Sequence, residues 1–205
     1  MRTDHRTDIC VGACDRQERG FSLVELMMVC IVVVIISVIA VPNIALIVNN
    51  YKLDAAGHSV ASLLQQARML AVKTNLPAYA NTTGGTPNMA FVGATPSAAY
   101  TAGNPEVALS PSISFQPPLG TSAFHSQLDT YLGGGTPSNG TIGFNARGLP
   151  CIANALNPSV CTPNNAGFEW FMQSNAGWEA VTVTAAGRIK SWRLTSTTNG
   201  TYTWQ

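Results

Sequence analysis

The sequence predicts an α+β protein: a long N-terminal helix, apolar in its first half, followed by an antiparallel β head. Three observations predict it. Residues 26–41, LMMVCIVVVIISVIAV, run sixteen positions without a charge. Beyond Pro42 apolar side chains continue at helical spacing as far as the 70s. From residue 78 onward the chain breaks into short alternating runs separated by Gly, Pro and Asn.

The apolar run comes first. With FSLV before it and NIALIV after it, the stretch reaches the roughly 20 residues that a helix needs to cross a bilayer. A secretory signal would place a basic segment, a shorter apolar core and then a small-residue cleavage site in that order. Here a polar leader of four arginines and four acids ends in Gly20 just before the run, and no A-x-A site follows. Arg16 and Arg19 flank the N-terminal side, whereas only Lys52 lies near the other end, so the positive-inside rule places the N-terminus in the cytoplasm and residues 50–205 outside. A plain single-pass anchor would explain all of this except Glu25. A carboxylate is costly inside an apolar span, and such groups are usually functional.

The second half of the helix is amphipathic by period. Ile44, Ile47, Val48, Tyr51, Ala55, Val60, Leu63, Leu64, Ala67, Leu70 and Ala71 follow one apolar face, with Lys52, Asp54, Gln65 and Arg68 on others. Asn49, Asn50 and Gly57 weaken the pattern, and Pro77 ends it, so the helix should stop near Asn75. The head then reads as strands at 78–82, 89–93, 106–109, 112–116, 141–145, 168–172, 178–184, 188–194 and 201–204. Ala186-Gly187 is the expected hairpin turn, and 94–105, 117–140 and 153–166 read as loops by composition.

Composition excludes more than it names. Two hundred and five residues suffice for one domain and an appendage. A net charge of +1 points to no polyanionic partner, and 10% charged residues is well below the usual fraction of about 25%. Of the five cysteines, Cys151 and Cys161 alone occupy a stretch that would reach an oxidising compartment. They read either as a local disulfide, worth about 2–3 kcal/mol for its short loop, or as two free thiols. No histidine lies near them to complete a zinc site (the three are His5, His58 and His125). The sequence shows no nucleophile–base frame, phosphate loop or paired carboxylates on one element, so no catalytic residue, metal ligand or cofactor is expected. Asp129, Glu106, Glu169 and Glu179 are scattered along the chain and suggest no calcium site. Trp170, Trp178, Trp192 and Trp204 fit core or sheet-face positions better than a ligand platform.

One motif carries a family resemblance. G-F-S-L-V-E-L at 20–26, followed by the apolar helix with Pro42 and an amphipathic extension, resembles the class III signal of type IV pilins and pseudopilins. The resemblance implies a type IV pilin fold: a leader at 1–20, a helix over 21–76 with its transmembrane part at 21–43, and a head at 77–205. It implies cleavage by a prepilin peptidase between Gly20 and Phe21, N-methylation of Phe21, a filament-assembly role for Glu25 and a helix kink at Pro42. The leader is longer than in many major pilins and carries as many acids as bases. The implied place is the bacterial inner membrane, with a cytoplasmic N-terminus and a periplasmic head, and later a periplasmic or cell-surface filament. The implied partners are other pilin or pseudopilin subunits, the peptidase, an inner-membrane assembly platform and, before assembly, lipid.

Two head stretches, TIGFNARGLP at 141–150 and AVTVTAAGRIKSWRL at 180–194, resemble strand motifs of the GspH/FimT branch of minor pilins and minor pseudopilins. For Arg147-Gly148 a simple turn with a solvated arginine is the competing reading. The expected function is a structural minor subunit of a type IV pilus or a type II secretion system. The alternative is a DNA-binding minor pilin that acts in uptake through Arg188, Lys190 and Arg193, although Arg193 has the opposite strand parity to the other two.

Overall fold

A computed structural model describes residues 22–83, 88–96, 98–116, 122–133, 140–154, 157, 160–198 and 201–205. Gly20, Phe21 and the rest of the 1–20 segment lie outside the described residues. The chain divides into two units, residues 1–43 and 44–205.

In the first unit, helix α1 (Leu23–Thr74) begins directly after Ser22, whose carbonyl accepts the Leu26 amide at 3.1 Å. The order Ser22, Leu23, Val24, Glu25 is that of a capping box, with a hydroxyl residue at the N-cap and a glutamate three positions on. Leu26 through Ile36 are exposed all round the helix, so within this unit the segment has no buried face. Among the described residues no single unbroken helix is long and apolar enough to cross a membrane. The stretches Leu23–Val38 and Asn43–Thr74 satisfy the length and composition together.

In the second unit α1 ends at Thr74, and Asn75 takes the left-handed conformation (φ 55°) that terminates helices before Pro77. The buried face is Leu53, Ala56, Val60, Leu63, Leu64, Ala67 and Ala71. The expected face is corrected at its start: Ile44, Ile47, Val48, Tyr51 and Ala55 are exposed, and the core stripe begins one position away at Leu53 and Ala56. Periodicity identified a helix there, but only the sheet decides which stripe it covers.

Two antiparallel sheets close on that face. The first has the order β3-β2-β1-β5-β6-β7, comprising β1 (Ala78–Thr83), β2 (Met89–Gly93), β3 (Glu106–Ala108), β5 (Ile142–Phe144), β6 (Pro150–Ala153) and β7 (Cys161–Pro163). The second has the order β11-β10-β9-β8-β4, comprising β4 (Ile113–Gln116), β8 (Phe168–Ser174), β9 (Gly177–Val183), β10 (Ile189–Thr198) and β11 (Thr201–Trp204). Phe144 and Ile142 from the first sheet, and Phe168, Trp170, Met172, Val181 and Val183 from the second, share one core with the helix.

Two expected loops are corrected. The 153–166 stretch contains β7, which pairs with β6 in the register Cys151↔Pro163 and Ala153↔Cys161. The 117–140 stretch contains a helix, α2 (Ser122–Leu132). Phe124, Leu128 and Leu132 repeat on one side of it, all buried. Phe124 and Leu128 pack with Phe171, Ala180, Trp192 and Trp204, the residues of β8–β11 opposite in parity to those facing α1. The second sheet is therefore covered on both sides. This explains the near-continuous burial of Phe168–Met172 and Glu179–Val183, where a one-sided strand would alternate.

Candidate functional site

Glu25 sits in the first turn of α1 and is the only charged residue between Ser22 and Tyr51. Both the capping-box order of the sequence and the helix dipole favour a carboxylate at this end. Its neighbours Val24, Leu26, Met28 and Val29 are all more than half exposed, so the acid stands in an apolar surface that nothing in this unit covers. Pro42 lies within α1. Cys30 is a free, exposed thiol of the same segment.

In the head, the two stretches with family-like motifs meet. After β5 the chain turns at Asn145–Gly148: the Gly148 amide donates to the Asn145 carbonyl at 2.8 Å, and the Asn145 side chain accepts the Arg147 and Leu149 amides. Gly148 has φ 73°, and a Cβ there would press on Arg68 and Val72. After β9 the chain turns again, with the Gly187 amide donating to the Thr184 carbonyl and Gly187 at φ 80°. A Cβ on Gly187 would stand 3.0 Å from the Gly148 carbonyl oxygen. Arg68 of α1 donates to the Gly187 carbonyl at 3.0 Å, so one guanidinium holds the helix to this glycine-lined junction. The two glycines are there for close approach. Arg147 is exposed, and its backbone amide donates to the Asn145 side chain. A groove of about 580 Å³ opens beside the junction between Arg68, Met69, Val72, Lys73 and Arg188.

The three C-terminal cations do not form one patch. Arg193 faces α1, where it is ion-paired with Asp54 and donates to the Asn50 carbonyl (3.0 Å) and side-chain oxygen (2.7 Å). Lys190 points the other way, its ammonium 3.4 Å from the Trp192 ring centroid and 5.7 Å from that of Tyr131. Arg188 is exposed at the hairpin, 6.0 Å from the Tyr131 ring. Cys151 and Cys161 are joined by a disulfide that ties β6 to β7, with their α-carbons 5.3 Å apart. Three of the four tryptophans are buried in the two cores and Trp178 packs at their margin.

Among the described residues two carboxyls are buried, Glu169 and Glu179, both expected from the sequence only as scattered acids. Glu179 of β9 lies beside its cross-strand neighbour Arg193 and points at Gly57 of α1, occupying the space a Cβ on that glycine would need. Burial pushes its carboxyl up to about 8, the Asp54 charge adds to the rise, and the Arg193 guanidinium opposes it. Glu169 of β8 lies under α2 beside His125 and is likewise held at about 8, first by burial and then by the Asp129 charge. Asp129 and Glu169, read as scattered, are thus brought together. The signal that could have found them is the i, i+4 spacing of His125 and Asp129 on the α2 helix.

The prokaryotic N-terminal methylation motif matches residues 15–41. With that motif at the start of a long helix and antiparallel sheets after it, the chain is a type IV pilin-like protein with an α+β pilin fold. Such proteins are structural rather than enzymatic: they are processed by a prepilin peptidase, anchored in a membrane and assembled with other pilin subunits. Neither curated proteins nor solved structures give a match to the chain.

Proposed function

We propose that this chain is a minor, tip-proximal subunit of a type IV pilus or a type II secretion pseudopilus, of the GspH/FimT branch, and not an enzyme. The observation that carries the reading is Glu25, a lone carboxylate on an all-round apolar helix within the methylation motif. Cleavage falls between Gly20 and Phe21 and leaves a methylated amine on Phe21. In a filament the helices lie side by side in an apolar layer, and an unpaired carboxylate there is expensive. The Phe21 amine of a neighbouring subunit is a cation at the right end of the helix, so pairing favours registered assembly. Residues 21–43 hold the precursor in the inner membrane, Pro42 lets the helix bend, the head is periplasmic, and an inner-membrane platform loads the subunit.

The test compares Glu25→Gln with Glu25→Ala. Gln retains capping-box chemistry but loses the charge, and Ala loses both. Both variants should still enter the membrane, be cut after Gly20 by mass spectrometry of the N-terminal peptide, and fail to enter filaments. Normal incorporation of Glu25→Gln would show that the residue acts only as a helix cap. An intact leader on the wild type would sink the pilin reading.

The DNA-uptake reading ranks second. It would need Arg188, Lys190 and Arg193 to act together on phosphates, whereas Arg193 is engaged by Asp54 and Asn50 and Lys190 by Trp192. Duplex DNA should not be retained above background at low salt. Retention that the triple Gln substitution removes would reverse the ranking.

A further inference from the structure

Helix α2 presents His125 and Asp129 one turn apart toward the sheet face opposite α1, and Glu169 rises from β8 to meet them. His125 Nδ1 stands 2.9 Å from Glu169 Oε1. One nitrogen or oxygen from each of the three residues lies within 4.8 Å of the other two. Glu169 is only 3% exposed, and its second oxygen, Oε2, is buried with no donor; Asp129 Oδ1 is in the same condition. The rings of Phe124 and Phe171 meet the His125 ring edge-on at 5.6 and 5.3 Å between centroids, so two sides of the imidazole are apolar. Two buried carboxylate oxygens without donors in one cluster are a costly arrangement for the protein alone, because each unsatisfied acceptor forfeits its hydration. A cation at their centre satisfies both.

We propose that His125, Asp129 and Glu169 form a divalent-cation site in the head, and that zinc is the ion it takes. The donor set argues for zinc over its rivals. Calcium requires six to eight oxygens and magnesium a near-ideal octahedron of oxygens, whereas one imidazole and two carboxylates are a borderline set. Three protein ligands leave the fourth tetrahedral position to water, which can reach the site past His125, whose side chain is 16% exposed. Bonds of about 2.0–2.2 Å hold tetrahedral ligand atoms about 3.4 Å apart, so the cluster, its ligand atoms within 4.8 Å of one another, would tighten on binding. The i, i+4 pair on one helix face is a recurrent way to offer two ligands to one ion. The ion would pin α2, an eleven-residue helix, onto the outer face of the second sheet. Its role would be to fasten a short helix onto the sheet.

The experiment uses the full chain, purified in detergent, stripped with a chelator and then exposed separately to zinc, manganese and calcium. After gel filtration, elemental analysis should find about one zinc per chain, little of the other two, and a thermal midpoint raised by several degrees. Retention should be lost below pH 6, as protons compete for the ligands. Glu169→Gln keeps the size of the side chain, removes the charge and should lower zinc retention at least tenfold. Its tryptophan emission in the absence of metal confirms that the head is folded, and Asp129→Asn supplies the same reading if it is not. Zinc kept equally by these variants resides elsewhere, with the thiols of Cys10 and Cys14 the first suspects, and overturns the assignment. So does a wild-type chain that retains no zinc, which would leave the cluster held together by a shared proton alone.

Discussion

Replacing Glu179 with Gln should stabilise the head at pH 8 and leave it unchanged at pH 5. In the native protein this carboxyl is 3% exposed, its Oε2 has no donor, and burial holds it at about 8 where a free glutamate titrates near 4.5. The folded state therefore keeps a proton that the unfolded state has released. Its contribution is fully present below about pH 4.5 and is lost as pH rises through about 8, so stability falls throughout that window. At 1.36 kcal/mol per pH unit the interval sets a ceiling of about 5 kcal/mol, and relaxation around a buried charge will bring the measured value below it. Gln has the same shape, never ionises, and can donate its amide toward Asp54. Arg193, which partly offsets the charge on Glu179, keeps its contacts with Asp54 and Asn50. All four tryptophans lie in the head, so denaturant titrations followed by tryptophan emission report its unfolding without interference from the apolar helix. The wild type should weaken from pH 5 to pH 8, and Glu179→Gln should lose a large part of that slope. An unchanged slope, or a variant less stable than wild type at pH 8, would refute the reasoning.

Gly57→Ala should destabilise by about 1–3 kcal/mol although alanine is the better helix former, because its methyl would meet the Glu179 carboxyl; combined with Glu179→Ala the cost should vanish in a double-mutant cycle. Reduction or Cys151→Ser with Cys161→Ser should cost about 2–3 kcal/mol, read as a lowered denaturation midpoint, and leave the second sheet's tryptophan signal native in the folded baseline. Arg68→Ala should lower stability by about 1–2 kcal/mol and raise hydrogen exchange at the Gly187 turn, whereas Arg147→Ala should be neutral within about 0.5 kcal/mol.

What the sequence determined by itself was local. A charge-free run, a helical period and Pro77 sufficed for α1 and for an end next to Asn75, because backbone sterics and turn-by-turn hydrophobicity act within a few residues. Alternation gave the long strands of both sheets, and the methylation motif at 15–41 was visible as Gly20, Phe21 and Glu25 in order. Tertiary structure decided everything that depends on which faces meet. Ser122–Leu132 looked like loop because Gly- and Pro-rich segments flank it, and it is a helix because Phe124 and Leu128 find Phe171, Trp192 and Trp204 to pack against. Leu53 and Ala56, rather than Tyr51 and Ala55, are core because the sheet lies on their side of the helix. Gly57 read as a weakness, and it is room for a carboxyl 122 positions later. Arg188, Lys190 and Arg193 read as a basic cluster, and strand pleating sends Arg193 and Lys190 to opposite sides of a sheet covered on both faces. His125 and Asp129 meet Glu169 only because α2 folds across β8. Contacts between residues so far apart in the chain exist only once the hydrophobic layers have closed, and no local pattern encodes them.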